Sequence, residues 1–78
     1  MNELKLLDVV ALLQDIPEEN LQRGEVGTIV EVFADTPEQA GGVLVEFSDR
    51  EGRAFAVADL RAEQLVKLRY RDAQRDAA

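Results

Sequence analysis

Sixteen Asp and Glu side chains stand against nine Lys and Arg, and the chain has no His and no Cys. Any chemistry would therefore rest on carboxylates. A carboxylate pair can hydrolyse a glycoside, one acid donating a proton while the other attacks. Glu31 and Glu46 are the candidates, each expected on the outer face of a strand. If those strands are neighbours, two like charges cost energy unless a cation such as Arg53 or Lys67 lies between them. A solvated face with cross-strand ion pairs accounts for the same residues. The hydroxyl candidates are Thr28, Thr36, Ser48 and Tyr70, and none has a Lys close in sequence to activate it. Without His or Cys there is no imidazole base, thiolate nucleophile, triad or thiolate zinc site. Asp49-Arg50-Glu51-Gly52 lacks the alternate-position oxygens of a calcium loop. The expectation is a protein that is not an enzyme and holds no metal or cofactor.

The stretch Gly24-Glu25-Val26-Gly27 invites comparison with phosphate-binding loops. A P-loop continues into Lys and Ser or Thr at the start of a helix. Here Thr28 has no preceding Lys, and strand-forming residues follow. A dinucleotide fingerprint needs a strand before it and a helix after it. The glycines read instead as a bend that permits close backbone approach at a strand entry.

The elements around these residues predict one small domain, 1–68, and a tail, 69–78. A chain of this size buries only about 60% of its unfolded surface. The run Leu6–Leu13 reads as a strand with Val10 and Leu12 on one side, stopped by Ile16-Pro17. Pro17-Glu18-Glu19-Asn20 suits one helical turn, and Leu21 tucks its loop against the core. Val26 to Phe33 is the longest β-forming run. Val26, Thr28, Val30 and Val32 are expected on the core side, and Ile29, Glu31 and Phe33 on the other. Apolar residues on both faces suggest a curved strand shared by two packed sheets. Val43, Val45 and Phe47 alternate in a third strand, Asp49 to Gly52 forms a tight turn, and Phe55 and Val57 continue the ladder. Ala58 to Arg61 reads as a short turn, Leu65 to Leu68 as the last strand, and Tyr70 to Ala78 as a frayed, helix-compatible tail. The predicted fold is all-β: a small five-stranded SH3-like barrel with a short helical turn before the last strand.

Asp8-Val9-Val10-Ala11-Leu12-Leu13, Ile16-Pro17, Leu21, Gly24, "GTIVEVF" from Gly27 and "VLVEFSDREGR" from Val43, closing with Leu65 to Leu68, resemble a family of short bacterial proteins known only as a domain of unknown function. The chain is also similar to the KOW type of SH3-like element found in ribosomal and transcription proteins, although those are usually basic. The resemblance implies a fold and supplies no catalytic residue. Members often lie near toxin-like or nuclease-like genes, which implies an antitoxin or immunity partner.

The net charge of −7 argues against nucleic acid, because phosphate contacts dominate that affinity. Four aromatics and no Trp supply a poor stacking platform. No apolar run is long enough to span a membrane, and Met1 to Lys5 lacks the pattern of an export signal, so a cytoplasmic location is expected. The function expected is a protein-interaction module that occludes a basic partner. Glu18, Glu19, Glu25, Asp35 and Glu38 would steer association from the first two loops, and Ile29, Glu31 and Phe33 would contact the partner. Ile29, Phe33 and Leu44 are expected to join Leu4, Leu6 and Leu7 in an outer apolar patch, a surface that also suits self-association. The alternatives are an accessory subunit of an enzyme assembly and, third, a KOW-like nucleic-acid binder.

Overall fold

The computed structural model describes residues 3–69. The domain is all-β, with five antiparallel strands in one sheet and two short 3-10 turns. The strands are β1 (Val9–Leu12), β2 (Val26–Phe33), β3 (Gly42–Ser48), β4 (Ala54–Leu60) and β5 (Leu65–Lys67). Their order across the sheet is β4-β3-β2-β1-β5. The expected helical turn before the last strand is present at Ala62–Gln64. The turn read at Ala58 to Arg61 is corrected: β4 runs on to Leu60, because Ala58 and Leu60 supply two more inward side chains opposite Val45 and Val43. The helix-compatible reading of Tyr70 to Ala78 lies outside the described residues.

Two sheets were expected, and one is found. A short link shows why one suffices. β4 and β5 are the opposite edges of the sheet, which laid flat would stand about 19 Å apart at ~4.8 Å per strand spacing. Yet only Arg61 and one 3-10 turn connect Leu60 to Leu65. That link spans about 13 Å, from ~2 Å per 3-10 residue and ~3.5 Å per extended step. The sheet must therefore curl until its edges approach. All five strands then feed one core of Val10, Leu12, Ile29, Val45, Phe47, Leu60 and their neighbours. Ile16 and Leu21, from the first loop, close one side of it. They bridge to each other through Ile16 N–H to Leu21 O at 2.9 Å and the reciprocal bond at 3.1 Å. The 3-10 turn Pro17–Glu19 sits between them, with Asn20 in the left-handed region that ends it.

The faces of β2 are the reverse of those expected at its start. Gly27 pairs with Phe47 and Ile29 with Val45, all on the core side. Ile29 is completely buried, whereas Val26 is 45% exposed. Gly27 has no side chain to mark it as an inward position, but a Cβ there would come within 2.6 Å of Val45 Cγ1 and 2.8 Å of the Glu46 carbonyl. The Val45 methyl and the Phe47 ring, whose Cδ1 would lie 3.0 Å away, share that place. A β-bulge then falls between Ile29 and Glu31, so Val30 and Glu31 together face Leu44 on the outer side. Beyond it Val32 stands opposite Val43 on the inner side, at the open rim of the core, and stays half-exposed. Val26 and Val30 are thus not core residues, and Ile29 is no surface residue.

The start of the chain is fastened by Asp8. Its carboxylate accepts from the Lys5 amide at 2.8 Å and pairs with Lys67 Nζ at 3.4 Å. The Lys5 amide, with Lys67 adding to it, holds the Asp8 carboxyl below its ordinary pKa. The turn that results puts Leu7 in the left-handed region, φ 72°, and donates the Leu7 amide to the Ile29 carbonyl at 2.8 Å.

Ile29→Ala should cost about 2–5 kcal/mol in urea unfolding, against less than ~1 for Val30→Ala, if Ile29 is core and Val30 is not. A carboxylate whose folded pKa is lowered adds stability that is present above its unfolded pKa of about 3.9 and is lost as pH falls through the folded value. Asp8→Asn should therefore unfold at lower urea than wild type at pH 7, and the two midpoints should converge in acid once pH has fallen through the lowered Asp8 pKa.

Candidate functional site

The acidic residues expected to act together are placed at opposite ends of β2. Glu18, Glu19 and Glu25 lie by the first loop, and Phe33, Asp35 and Glu38 by the second. Seven strand steps at ~3.3 Å separate the two groups by about 23 Å. Several of these acids hold loops in shape. Asp35 Oδ1 accepts the Gly41 amide at 2.6 Å. Glu25 Oε2 accepts the Gln22 amide at 3.2 Å, while its Oε1 is buried with no partner among the described residues. Asp15, not singled out from sequence, accepts the Arg23 amide at 2.8 Å and braces the same loop. Glu18, Glu19 and Glu38 remain exposed to solvent.

The expected patch of Ile29, Phe33 and Leu44 with Leu4, Leu6 and Leu7 does not form. Ile29 is buried, Leu4 packs against the core, and Phe33 is half-buried beside the second loop. Phe33 instead helps line an open cleft of about 370 Å³ with Leu4, Val32, Gly41, Val43 and Arg61. The Arg61 guanidinium there donates to Glu63 at 3.1 Å. The Glu63 backbone amide, and then Arg61, hold the Glu63 carboxyl below its usual value.

The larger feature is the outer, convex face of the sheet. Strand register arranges it in rows. One row is Val66, Ala11 and Val26. The next is Val9, Thr28, Glu46 and Val57, and Leu68 adjoins it by donating its amide to the Val9 carbonyl at 2.8 Å. The third is Glu31, Leu44 and Asp59. Val26, Phe55, Val57, Val66 and Leu68 expose between 38% and 53% of their surface. Phe55 belongs here because a second bulge sets it beside Ala54, opposite Ser48.

Glu31 and Glu46 do share this face, but they are not opposite each other. Glu31 faces Leu44, and Glu46 faces Thr28. The cations expected to lie between them are engaged elsewhere: Arg53 with Asp49 at 3.3 Å and Glu51 at 3.6 Å, and Lys67 with Asp8. No Lys or Arg occupies the three rows. Glu31 and Asp59 flank Leu44 at one strand spacing each, about 4.8 Å. Glu46 stands two residues further along the same strand face. The β2–β4 half of the face is thus an apolar centre ringed by three carboxylates, and the β1–β5 half is apolar without charge. Asp59 was missed from sequence because the end of β4 was read as a turn.

Among the described residues no group of acidic side chains is arranged to hold a metal ion, and no helix is long and apolar enough to cross a membrane. No curated protein and no solved structure matches the chain. Residues 6–67 match the family model described as a domain of unknown function, DUF4926, and the chain belongs to that family.

Proposed function

We propose that the chain is a non-enzymatic, cytoplasmic protein-interaction module of SH3-like barrel type that binds a cationic protein through the outer face of β2, β3 and β4. One observation carries this reading. Glu31, Glu46 and Asp59 surround Leu44 and Val57 on a face whose rows hold no cation. Three carboxylates about 8–10 Å apart from strand spacings, close to the Debye length of ~8 Å at physiological salt, reinforce one another as a negative patch. A partner with an apolar centre and a basic rim complements it. The charges raise the rate of encounter, and burial of Val57, Phe55 and Leu44 sets the lifetime of the complex. An antitoxin- or immunity-like protein covering the basic cleft of a toxin would work in this way. The proposed site lies on the sheet face and not on the loops, and of the acids first assigned to partner binding only Glu31 belongs to it.

The uncharged half of the face, Val26, Val66 and Leu68, favours a second reading as an accessory subunit held by apolar contact alone. A KOW-like nucleic-acid role would set phosphates against the same three carboxylates and lose affinity by it.

The test is co-expression with the products of the adjacent genes, followed by calorimetry and stopped-flow kinetics on any complex. Val57→Lys, at an exposed position, should leave folding intact and weaken the complex by about tenfold or more, the effect of burying a charge in an apolar contact. Asp59→Asn and Glu31→Gln should slow association and flatten its salt dependence, with dissociation little changed. No complex at all overturns the proposal. A complex indifferent to salt and to Val57→Lys, but lost in Val26→Lys, overturns it in favour of the accessory subunit.

A further inference from the structure

At the end of the proposed face where β2 gives way to β3, the sheet presents a hole in place of side chains. Phe33 pairs with Gly42, two residues along from the Glu31–Leu44 pair and so on the same side of the sheet. Gly41 and Gly42 are bare because backbone passes too close for a Cβ. One on Gly41 would lie 2.8 Å from the Phe33 carbonyl oxygen, and one on Gly42 2.8 Å from that of Leu60. The result is a second open cleft of about 440 Å³, lined by Phe33, Gln39, Gly41, Gly42, Asp59 and Arg61. It shares Phe33, both glycines and Arg61 with the cleft described above. A volume of that size takes a side chain and not a helix. Asp59 belongs both to this cleft and to the ring of carboxylates around Leu44, so the hole opens on the binding face.

We propose that this cleft receives an arginine side chain of the cationic partner, its guanidinium lying on the Phe33 ring and pairing with the Asp59 carboxylate. The inference rests on the partner-binding reading and names the group that anchors it. Charge selects a cation. The two adjoining clefts hold Asp35, Asp59 and Glu63 against one guanidinium, that of Arg61. Arg61 donates to Glu63 at 3.1 Å, and Asp59 has no ion pair among the described residues. An acidic anchor drawn to Arg61 would meet three carboxylates and be repelled. The ring selects the kind of cation. A guanidinium is planar and weakly hydrated, stacks on an aromatic face, and presents a fork of donors that matches a carboxylate. An ammonium is a compact, strongly hydrated charge and does these things less well. Phe33 is half-buried, so part of its ring is packed and part lines the cleft. Gln39, on the same cleft, offers a side-chain carbonyl to a remaining guanidinium N–H. Arginine is enriched among the residues that dominate binding at interfaces, seated in pockets that exclude water around them.

Capped tripeptides Gly-X-Gly, with X arginine, citrulline, lysine or glutamate, test this without the partner. The full chain is isotope-labelled and its amide NMR shifts are followed at millimolar peptide and about 0.15 M salt, where attraction is screened beyond ~8 Å. The arginine peptide should give saturable shifts at the Gly41 and Gly42 amides and little change at Glu18 and Glu19. Citrulline, nearly the same shape without the charge, should bind about fivefold more weakly or worse, and lysine about threefold more weakly. Asp59→Asn, at an exposed position, should cost the arginine peptide about threefold or more. In Phe33→Leu, which keeps an apolar side chain and removes the ring, arginine should bind no better than lysine. The amide spectrum of each variant shows that it is folded. No saturable shift at Gly41 and Gly42, equal binding of arginine and citrulline or of arginine and lysine, or tighter binding of glutamate overturns the proposal. Failure of the two readings is told apart. Absence of a complex counts against the binding face. Absence of arginine selectivity, with the complex and its dependence on Val57 intact, counts against the anchor alone.

Discussion

The short connection from Leu60 to Leu65 is the constraint on which the rest of the molecule depends. It joins the two edges of the sheet through Arg61 and one 3-10 turn, and so obliges five strands to bend around a common centre. Gln64 secures that turn by accepting the Arg61 amide at 2.8 Å, and its own amide returns to the Arg61 carbonyl at 3.0 Å. Once the sheet is bent, its inner face has little room. Phe47, fully buried, fits because Gly27 on the neighbouring strand brings no side chain. The two bulges, at Val30 and Phe55, supply local twist that regular pleating would not. A core of eleven buried residues can serve a chain of this size only because every strand contributes to it.

Bending the sheet also decides the surface. A curled sheet has one enclosed face and one outer face, and the described residues supply no second layer to cover the outer one. The outer rows carry Val9, Val26, Leu44, Val57 and Val66, residues that favour the extended backbone wherever they point. Part of that apolar surface is a consequence of building strands at all. The arrangement of charge is not such a consequence. Strand propensity gives no reason for Glu31, Glu46 and Asp59 to gather around Leu44 while the basic side chains lie beyond those rows.

Much of the fold was legible in the sequence. Val10 and Leu12 in one strand, Val43, Val45 and Phe47 in another, the tight turn with Gly52 at φ 85°, and Leu21 as the anchor of the first loop all follow from alternation and turn chemistry. β2 was legible as a strand, but its faces were not. Counting apolar side chains gives weight to Val26, Val30 and Val32 and none to Gly27, yet Gly27 is the position that faces Phe47. The bulge changes phase in mid-strand, and a bulge has no side-chain signature when the extra residue is another valine. The site was less legible. Which acids share a surface is decided by strand register and by which end of a strand a loop occupies, and both are tertiary facts.

The separation of the two acidic loops alters the meaning of the net charge. Glu18 and Glu19 lie in the loop before β2 and Glu38 in the loop after it, at opposite ends of a strand about 23 Å long, well beyond the screening length, and they do not form one site. They contribute to solubility and to the general attraction of a cation toward the molecule. Asp15, Asp35 and Asp49 accept backbone amides and shape the loops. Asp8 is committed to Lys67 and the Lys5 amide. What remains for the proposed interaction is the set of carboxylates with no partner among the described residues that lie close together beside exposed apolar groups. Glu31, Glu46 and Asp59 are that set, and the sheet that gathers them is the one the Leu60–Leu65 link bends outward.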